Sequence, residues 1–181
     1  MRTAYEQSEV AKLIDKLAGA ISAVFPKDKP LNIIGIRTRG EVLAQRLTLK
    51  LQQSGYSLIG RGVLDITLYR DDLSEVGPRP MVRPTNITID IDATPLILVD
   101  DVLFTGRSIR AALDALADYG RPAMIRLAVL VDRGGRELPI QPDFVGITLG
   151  EVPRDHRVNV RFTETDGRDE ITVEPREVRH G

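Results

Sequence analysis

The spacing of apolar positions changes several times along the chain, and each change predicts a new element. Val10, Leu13, Ile14, Leu17, Ile21 and Val24 recur at helical intervals until Pro26. The apolar stretch 31–36 reads as a short buried strand. Leu43, Leu47 and Leu51 predict a second helix following Gly40 and broken by Gly55. Over 63–69, Asp65 and Thr67 alternate with Leu64, Ile66 and Leu68, the period of a half-buried strand. Residues 70–86 carry charges and Pro78, Pro80 and Pro84, which predicts an exposed, mobile loop. Ile87, Ile89 and Ile91 alternate with polar residues as in an exposed hairpin strand. Leu96, Ile97, Leu98 and Val99 form a continuous apolar run, the mark of a central strand covered on both faces. Ile109, Ala112, Leu113 and Leu116 then trace one helical face, stopped by Gly120 and Pro122. Another apolar strand spans 124–131, and short strands are expected at 144–148, 158–162 and 171–173.

Strands alternating with helices predict an α/β fold with a mostly parallel sheet and right-handed crossovers. At 181 residues, one domain is the default. Ligands on such sheets sit beyond the carboxyl ends of the strands. Three polar turns, 37–40, 100–108 and 132–139, follow predicted strands, which is the reason to assemble them into one site.

Composition mainly excludes. The net charge of −1 gives no global basic field for nucleic acid, although a local patch remains possible. There is no cysteine, so thiolate metal sites, cysteine nucleophiles and disulfides drop out. Two histidines, His156 and His180, exclude a histidine-rich metal centre. No apolar run approaches the ~20 residues of a membrane span, and no signal-like segment opens the chain, so the cytoplasm is the expected location.

The strongest chemistry lies in L-I-L-V-D-D-V-L-F-T-G-R-S, residues 96–108. Two adjacent carboxylates, Asp100 and Asp101, end the apolar run. A half-buried like-charged pair is costly without hydroxyls, a cation or water to satisfy it. Thr105, Gly106, Arg107 and Ser108 then open a helix, whose N-terminal amides favour an anion. Carboxylates for vicinal hydroxyls beside an anion loop suit a sugar phosphate. A strand–turn–helix with an ordinary cap explains Thr105 and Ser108 but not the paired aspartates. Arg37, Thr38, Arg39 and Gly40 describe a second anion turn, where solvated arginines are an equally good reading. No G-x-x-x-x-G-K-[ST] occurs, which sets aside a P-loop nucleotidase.

The 96–108 segment resembles the phosphoribosyl-pyrophosphate (PRPP) signature of the type I phosphoribosyltransferases. By that resemblance Asp100 and Asp101 bind the ribose hydroxyls. Val102, Leu103 and Phe104 belong to the same PRPP-binding segment, with Thr105, Gly106, Arg107 and Ser108 on the 5′-phosphate. Thr38, Arg39 and Gly40 resemble the pyrophosphate loop. The segments 65–73 and 132–140 narrow the likeness to the PyrR family, pyrimidine attenuation regulators that are also uracil phosphoribosyltransferases. That likeness covers nearly the whole chain to about Gly146. It implies a type I phosphoribosyltransferase fold with a small hood, built as one domain over 1–181. Residues 70–86 would be a flexible lid carrying Arg70, and roughly 140–181 would supply the hood and C-terminal strands. The implied reaction is uracil and PRPP to UMP and pyrophosphate. Asp100, Asp101, Arg39 and Arg70 would carry it, with Asp132, Arg133 and Leu138 bordering the base. Mg²⁺ would be held through the substrate near Asp100 and Asp101, not by the protein alone. Homodimers or homotetramers are implied as well.

The family's second activity is binding of pyrimidine-operon leader mRNA with UMP as co-regulator. Here Gly135 replaces the family histidine in R-G-H-R-E-L-P, and 146–153 replace a G-K-N-x-P-T-S segment. Asp15, Lys16 and Gly19 stand where the first helix often carries a threonine–arginine pair and a histidine. Lys12, Lys16, Arg154, Arg157 and Arg161 are the basic residues left for an RNA face. A nucleotide-sensing regulator with little catalysis, and transfer to another base such as a purine, stay open.

Overall fold

The computed structural model describes residues 4–69, 84–150 and 152–175. In order these form β1 (Ala4–Glu6), α1 (Gln7–Val24), β2 (Leu31–Ile36), α2 (Arg39–Gln53) and β3 (Ile59–Leu64). A 3₁₀ turn (Thr67–Tyr69), β4 (Pro95–Leu103), α3 (Arg107–Leu116), β5 (Met124–Asp132) and β6 (Phe144–Thr148) follow. β7 (His156–Arg161), α4 (Thr163–Asp166) and β8 (Glu170–Pro175) complete the described chain.

Five strands make a parallel sheet in the order β3-β2-β4-β5-β6. Its central strands are apolar because both faces are covered. On one face, Ile33, Val99 and Leu130 join Ile14 and Leu17 of α1, Leu43 and Leu47 of α2, and Val160 and Ile171 of the smaller sheet. On the other, Ile34, Leu98 and Val129 pack with Ile109, Ala112 and Leu116 of α3. The smaller sheet is antiparallel, β1-β8-β7. From β2 the chain goes outward to β3, then returns to β4 on the other side of β2. The order therefore reverses between β2 and β4, and a crevice at their carboxyl ends is the natural ligand position.

Three expectations are corrected. The strand foreseen at 63–69 is β3, ending at Leu64; Asp65 then accepts the Thr67 N–H at 2.8 Å and the chain turns. A local side-chain acceptor has displaced the ladder. The alternation of Ile87, Ile89 and Ile91 reports packing without a strand. One bridge joins Asn86 to Val63, Ile91 is buried, and the Asn32 amide donates to the Asp90 carbonyl at 3.0 Å. Glycines in β3 permit this close cover: a β-carbon at Gly60 would meet Ile89 Cδ1 at 3.0 Å, and one at Gly62 would meet Ile87 Cγ1 at 3.2 Å. Finally, β6 extends the large sheet, while the small layer recruits the three-residue β1, which the periodicity does not reveal. Arg70 and most of the 70–86 segment lie outside the described residues.

Candidate active site

A cavity of about 410 Å³ opens at the reversal point, lined by Arg37, Thr38, Asp65, Thr67, Asp100, Asp101 and Ser108 among others. Both aspartates belong to β4, which continues through them to Leu103 instead of ending at an acidic turn. Neighbouring side chains of a regular strand face opposite ways. Here the alternation slips. Leu98 and Leu103 pack in the same core layer although five positions apart, and so do Val99 and Val102 in the other. Asp101 is the one position from Pro95 to Leu103 with no partner in the ladder to β5. The slip brings both carboxylates to one cavity. The Asp101 N–H donates to the Asp100 carboxylate at 2.9 Å. Burial pushes the Asp101 carboxyl above the usual carboxylate range, against the opposing pull of its Asp100 hydrogen bond and the Arg39 charge.

The turn after β2 reaches the cavity because two glycines let it. A β-carbon at Gly35 would lie 2.4 Å from the Gly40 carbonyl oxygen, and one at Gly40 would lie 2.6 Å from that of Val99 and 3.1 Å from Asp100 Cα. The Arg37–Thr38 peptide is cis. Thr38 stands at the N-terminal boundary of α2, and its hydroxyl makes no hydrogen bond among the described residues. Arg39 points Nη2 and Nε at Asp166 (2.7 and 3.3 Å), while Arg37 makes a long 3.7 Å contact with Glu41.

After β4, Gly106 adopts φ +94°, a conformation that glycine accepts without strain, and opens α3. The amides of that first turn have no intrahelical acceptor. Ser108 joins the cavity wall. The 137–140 segment clamps the loop from behind. Glu137 and Leu138 donate their N–H groups to the Thr105 carbonyl (3.0 and 3.2 Å), and Leu138 and Ile140 sit 3.3–3.4 Å from where a Gly106 β-carbon would be. Leu138 thus supports the anion loop. Arg107 is exposed and ion-paired with Glu137 at 2.9 Å. Phe104 points toward the next turn, not into the cavity.

That next turn follows β5. Asp132 accepts from Gly134 N–H (2.9 Å) and from Arg136 (2.8 Å). Arg133 is only 4% exposed. Its guanidinium lies 3.9 Å over the Phe104 ring and donates to the carbonyls of His156, Pro153 and Val152. Gly135 has φ +75°, and a β-carbon there would strike the Phe104 ring at 2.5 Å. Arg133, Gly134, Gly135, Leu149, Val152, Pro153 and Arg154 line a second cavity of about 680 Å³.

Of the basic candidates, Lys12 and Lys16 lie on the exposed side of α1, with Lys16 donating to the Gly146 carbonyl at 2.8 Å. Arg154 and Arg157 are exposed near and on β7, and Arg161 pairs with Glu170 at 2.8 Å. Arg37 of the anion turn joins the wall, and the structure adds Asp65, Thr67 and, through Arg39, Asp166, to which the motifs gave no role. Arg37 was signalled by its neighbours in the turn. Asp166 carried no local signal, because 127 positions separate it from Arg39.

The phosphoribosyl transferase domain family matches residues 2–161. A protein named bifunctional protein PyrR from Chloroflexus aurantiacus is 55% identical over 141 residues, covering 78% of this chain and 77% of its own. PyrR proteins from Elusimicrobium minutum and Deinococcus radiodurans are 47% and 48% identical, covering 91% and 94% of this chain and 92% and 93% of theirs. The chain belongs to the PyrR family. Its fold is the type I phosphoribosyltransferase fold. A hypoxanthine-guanine phosphoribosyltransferase structure from Bacillus anthracis superposes with TM-score 0.67 at 14% identity, covering 93% of both chains. A hypoxanthine phosphoribosyltransferase structure from Trypanosoma cruzi gives 0.68 at 18% identity, covering 94% of this chain and 95% of its own. At such identities the two structures speak for the fold alone. Among the described residues no helix is long and apolar enough to cross a membrane.

Proposed function

We propose that this protein is a uracil phosphoribosyltransferase, joining uracil N1 to C1′ of PRPP and releasing UMP and pyrophosphate, and that it also regulates through pyrimidine-operon leader RNA. Family membership supports both halves of this reading. The observation that carries the enzymatic half is the cavity at the β2/β4 reversal, where paired carboxylates, free hydroxyls and a helix N-terminus meet.

Asp100 and Asp101 accept hydrogen bonds from the ribose hydroxyls, and the 105–108 loop holds the 5′-phosphate with the first-turn amides of α3 and the Ser108 hydroxyl. Thr38, Arg39 and the Gly40 backbone face the pyrophosphate, where negative charge grows as it departs. Preorganised donors there act without reorientation at the moment of reaction. Arg70 belongs to the same set by resemblance alone. The neighbouring carboxylates balance positive charge developing on the sugar. Mg²⁺ held together with the substrate suits the site, since Asp100 and Asp101 offer oxygen ligands only. When bound with PRPP, the ion would offset pyrophosphate charge, with Asp100 and Asp101 nearest to it.

Uracil takes the second cavity, beside Asp132 and Arg133. Its apolar wall (Leu149, Val152, Pro153) suits a flat ring, and backbone groups of the 133–135 turn suit its alternating carbonyl and N–H edge. Leu138 serves this region indirectly through the loop it supports. Leader RNA would meet Lys12, Lys16, Arg154 and Arg157. The protein works in the cytoplasm, where PRPP and nascent transcripts are found.

Steady-state pyrophosphate release from PRPP with uracil, orotate and hypoxanthine tests the enzyme. Uracil should be used at least tenfold better than the others, and preference for hypoxanthine would overturn the base assignment. Titration of leader RNA at two salt concentrations tests the regulator: affinity should fall steeply with salt, and no binding at low salt would remove that role.

A further inference from the structure

The α2 helix carries arginines at 39 and 46, seven positions and two turns apart, hence on one face. Both reach the turn between β7 and β8. Arg46 forks onto Glu164 (2.9 and 2.6 Å) and Asp169 (2.5 and 2.8 Å), and its guanidinium sits 4.8 Å over the Phe162 ring. That contact anchors the turn. Arg39 makes a different one. It gives Nε and Nη2 to the two oxygens of Asp166, a planar pairing that fixes the plane of the guanidinium. The pairing leaves Nη1 without a hydrogen-bond partner among the described residues, and Arg39's side chain keeps 38% of its exposure.

Asp166 is itself held. The Phe162 N–H (3.0 Å) and the Thr165 hydroxyl (2.7 Å) both donate to its Oδ2. Its side chain is 18% exposed, so the carboxylate has little room to swing away. Arg39 is also close enough to Asp101 for its charge to act on that carboxyl. One arginine thus sits under the influence of a ribose-site carboxylate and of a carboxylate from the smaller layer.

We infer that Asp166 is a positioning residue for the phosphoribosyl transfer: it orients the Arg39 guanidinium so that the remaining donors meet the pyrophosphate group. The inference rests on the assignment of Arg39 to pyrophosphate. It adds a residue remote in sequence, and it couples the β7–β8 turn to the anion turn at the start of α2. Partial burial pushes the Asp166 carboxyl up, but hydrogen bonds from Arg39, Thr165 and Phe162 outweigh it and hold it at about 2, so the orienting charge persists at working pH.

The test compares Asp166→Asn, Asp166→Glu, Glu164→Gln, Arg39→Ala and the double variant Arg39→Ala/Asp166→Asn in the full-length protein. The readouts are KM for PRPP, KM for uracil, inhibition by pyrophosphate and melting temperature. Asp166→Asn should raise KM for PRPP and the pyrophosphate inhibition constant about tenfold, as loss of an oriented charge-assisted contact does, and leave KM for uracil within twofold. Asp166→Glu should recover part of the loss. Glu164→Gln, which loosens the same turn through Arg46, should lower the melting temperature without the PRPP effect. In the Arg39→Ala background, Asp166→Asn should add nothing. Equal PRPP effects from Glu164→Gln and Asp166→Asn would mean that the turn is merely anchored, and would overturn the inference. So would an unchanged pyrophosphate constant in Asp166→Asn when Arg39→Ala raises it. An unchanged constant in Arg39→Ala would instead strike the underlying assignment of Arg39.

Discussion

The turns after β2 and β5 occupy equivalent places at the carboxyl ends of parallel strands, and each carries an arginine that the sequence nominates for the site. Their commitments differ. Arg39 uses one edge of its guanidinium on Asp166 and keeps the rest exposed beside the cavity. Arg133 is buried, stacked on Phe104, and gives its donors to three main-chain carbonyls. Position at a strand end makes both candidates; what each guanidinium already holds separates them. The first turn leaves part of its guanidinium exposed. The second holds the β5 turn against the approach to β7, with the Arg133 guanidinium already engaged by main-chain carbonyls and the Phe104 ring.

The contrast can be broken most sharply at the carboxylates. Asp100→Asn and Asp101→Asn should each lower kcat/KM for PRPP by roughly a hundredfold or more, as removal of a preorganised charged contact does. Asp101→Asn should at the same time be more stable at neutral pH. A raised folded-state pKa means that ionised Asp101 costs stability once pH rises above the ordinary carboxylate value. The gain in melting temperature should therefore shrink as pH falls below about 4. A variant that is both inactive and less stable at pH 7 would contradict the burial argument.

Next come the arginines themselves. Arg133→Ala should cost about 3 kcal/mol of stability, because it removes a buried side chain stacked on Phe104 and the donors of three partly buried carbonyls. Arg39→Ala should change stability by less than about 1 kcal/mol, since its ion pair is partly exposed, and should act on pyrophosphate instead. Denaturant unfolding beside pyrophosphate inhibition reads both axes, and a reversed pattern would erase the distinction. Gly40→Ala tests how the first turn is seated. The added methyl would stand 2.6 Å from the Val99 carbonyl oxygen, so the turn must lift away from Asp100. A loss of about 1–3 kcal/mol is expected, with a raised KM for PRPP. The smallest effect is acid sensitivity. Asp166 has a depressed pKa, so its carboxylate stabilises the fold above about pH 4 and loses that contribution as pH falls through about 2. The melting-temperature gap between wild type and Asp166→Asn should close over that interval.

Much of this was legible in the sequence because local chemistry dictated it. The apolar run 96–99 is the doubly covered strand it reads as, and Asp100, Asp101 and Ser108, singled out by their pattern, line one cavity. Legibility failed where a non-local partner decided the outcome. Alternation at 87–91 looked like a strand because those isoleucines face the core, yet among the described residues the segment 84–91 makes one bridge, at Asn86. β1 is too short to show a period and exists through its pairing with β8. The slip in β4 that brings both aspartates to one cavity leaves no mark in the residue types. Arg133 lines the second cavity, but nothing in the sequence says that carbonyls from 152–156 also converge on its guanidinium.

The most direct test is a crystal structure of the full chain with PRPP and Mg²⁺. The ribose should lie against Asp100 and Asp101, with its 5′-phosphate on the amides that open α3 and its pyrophosphate facing Thr38 and Arg39. Density for the sugar phosphate anywhere else, with that crevice filled by solvent, would contradict the account.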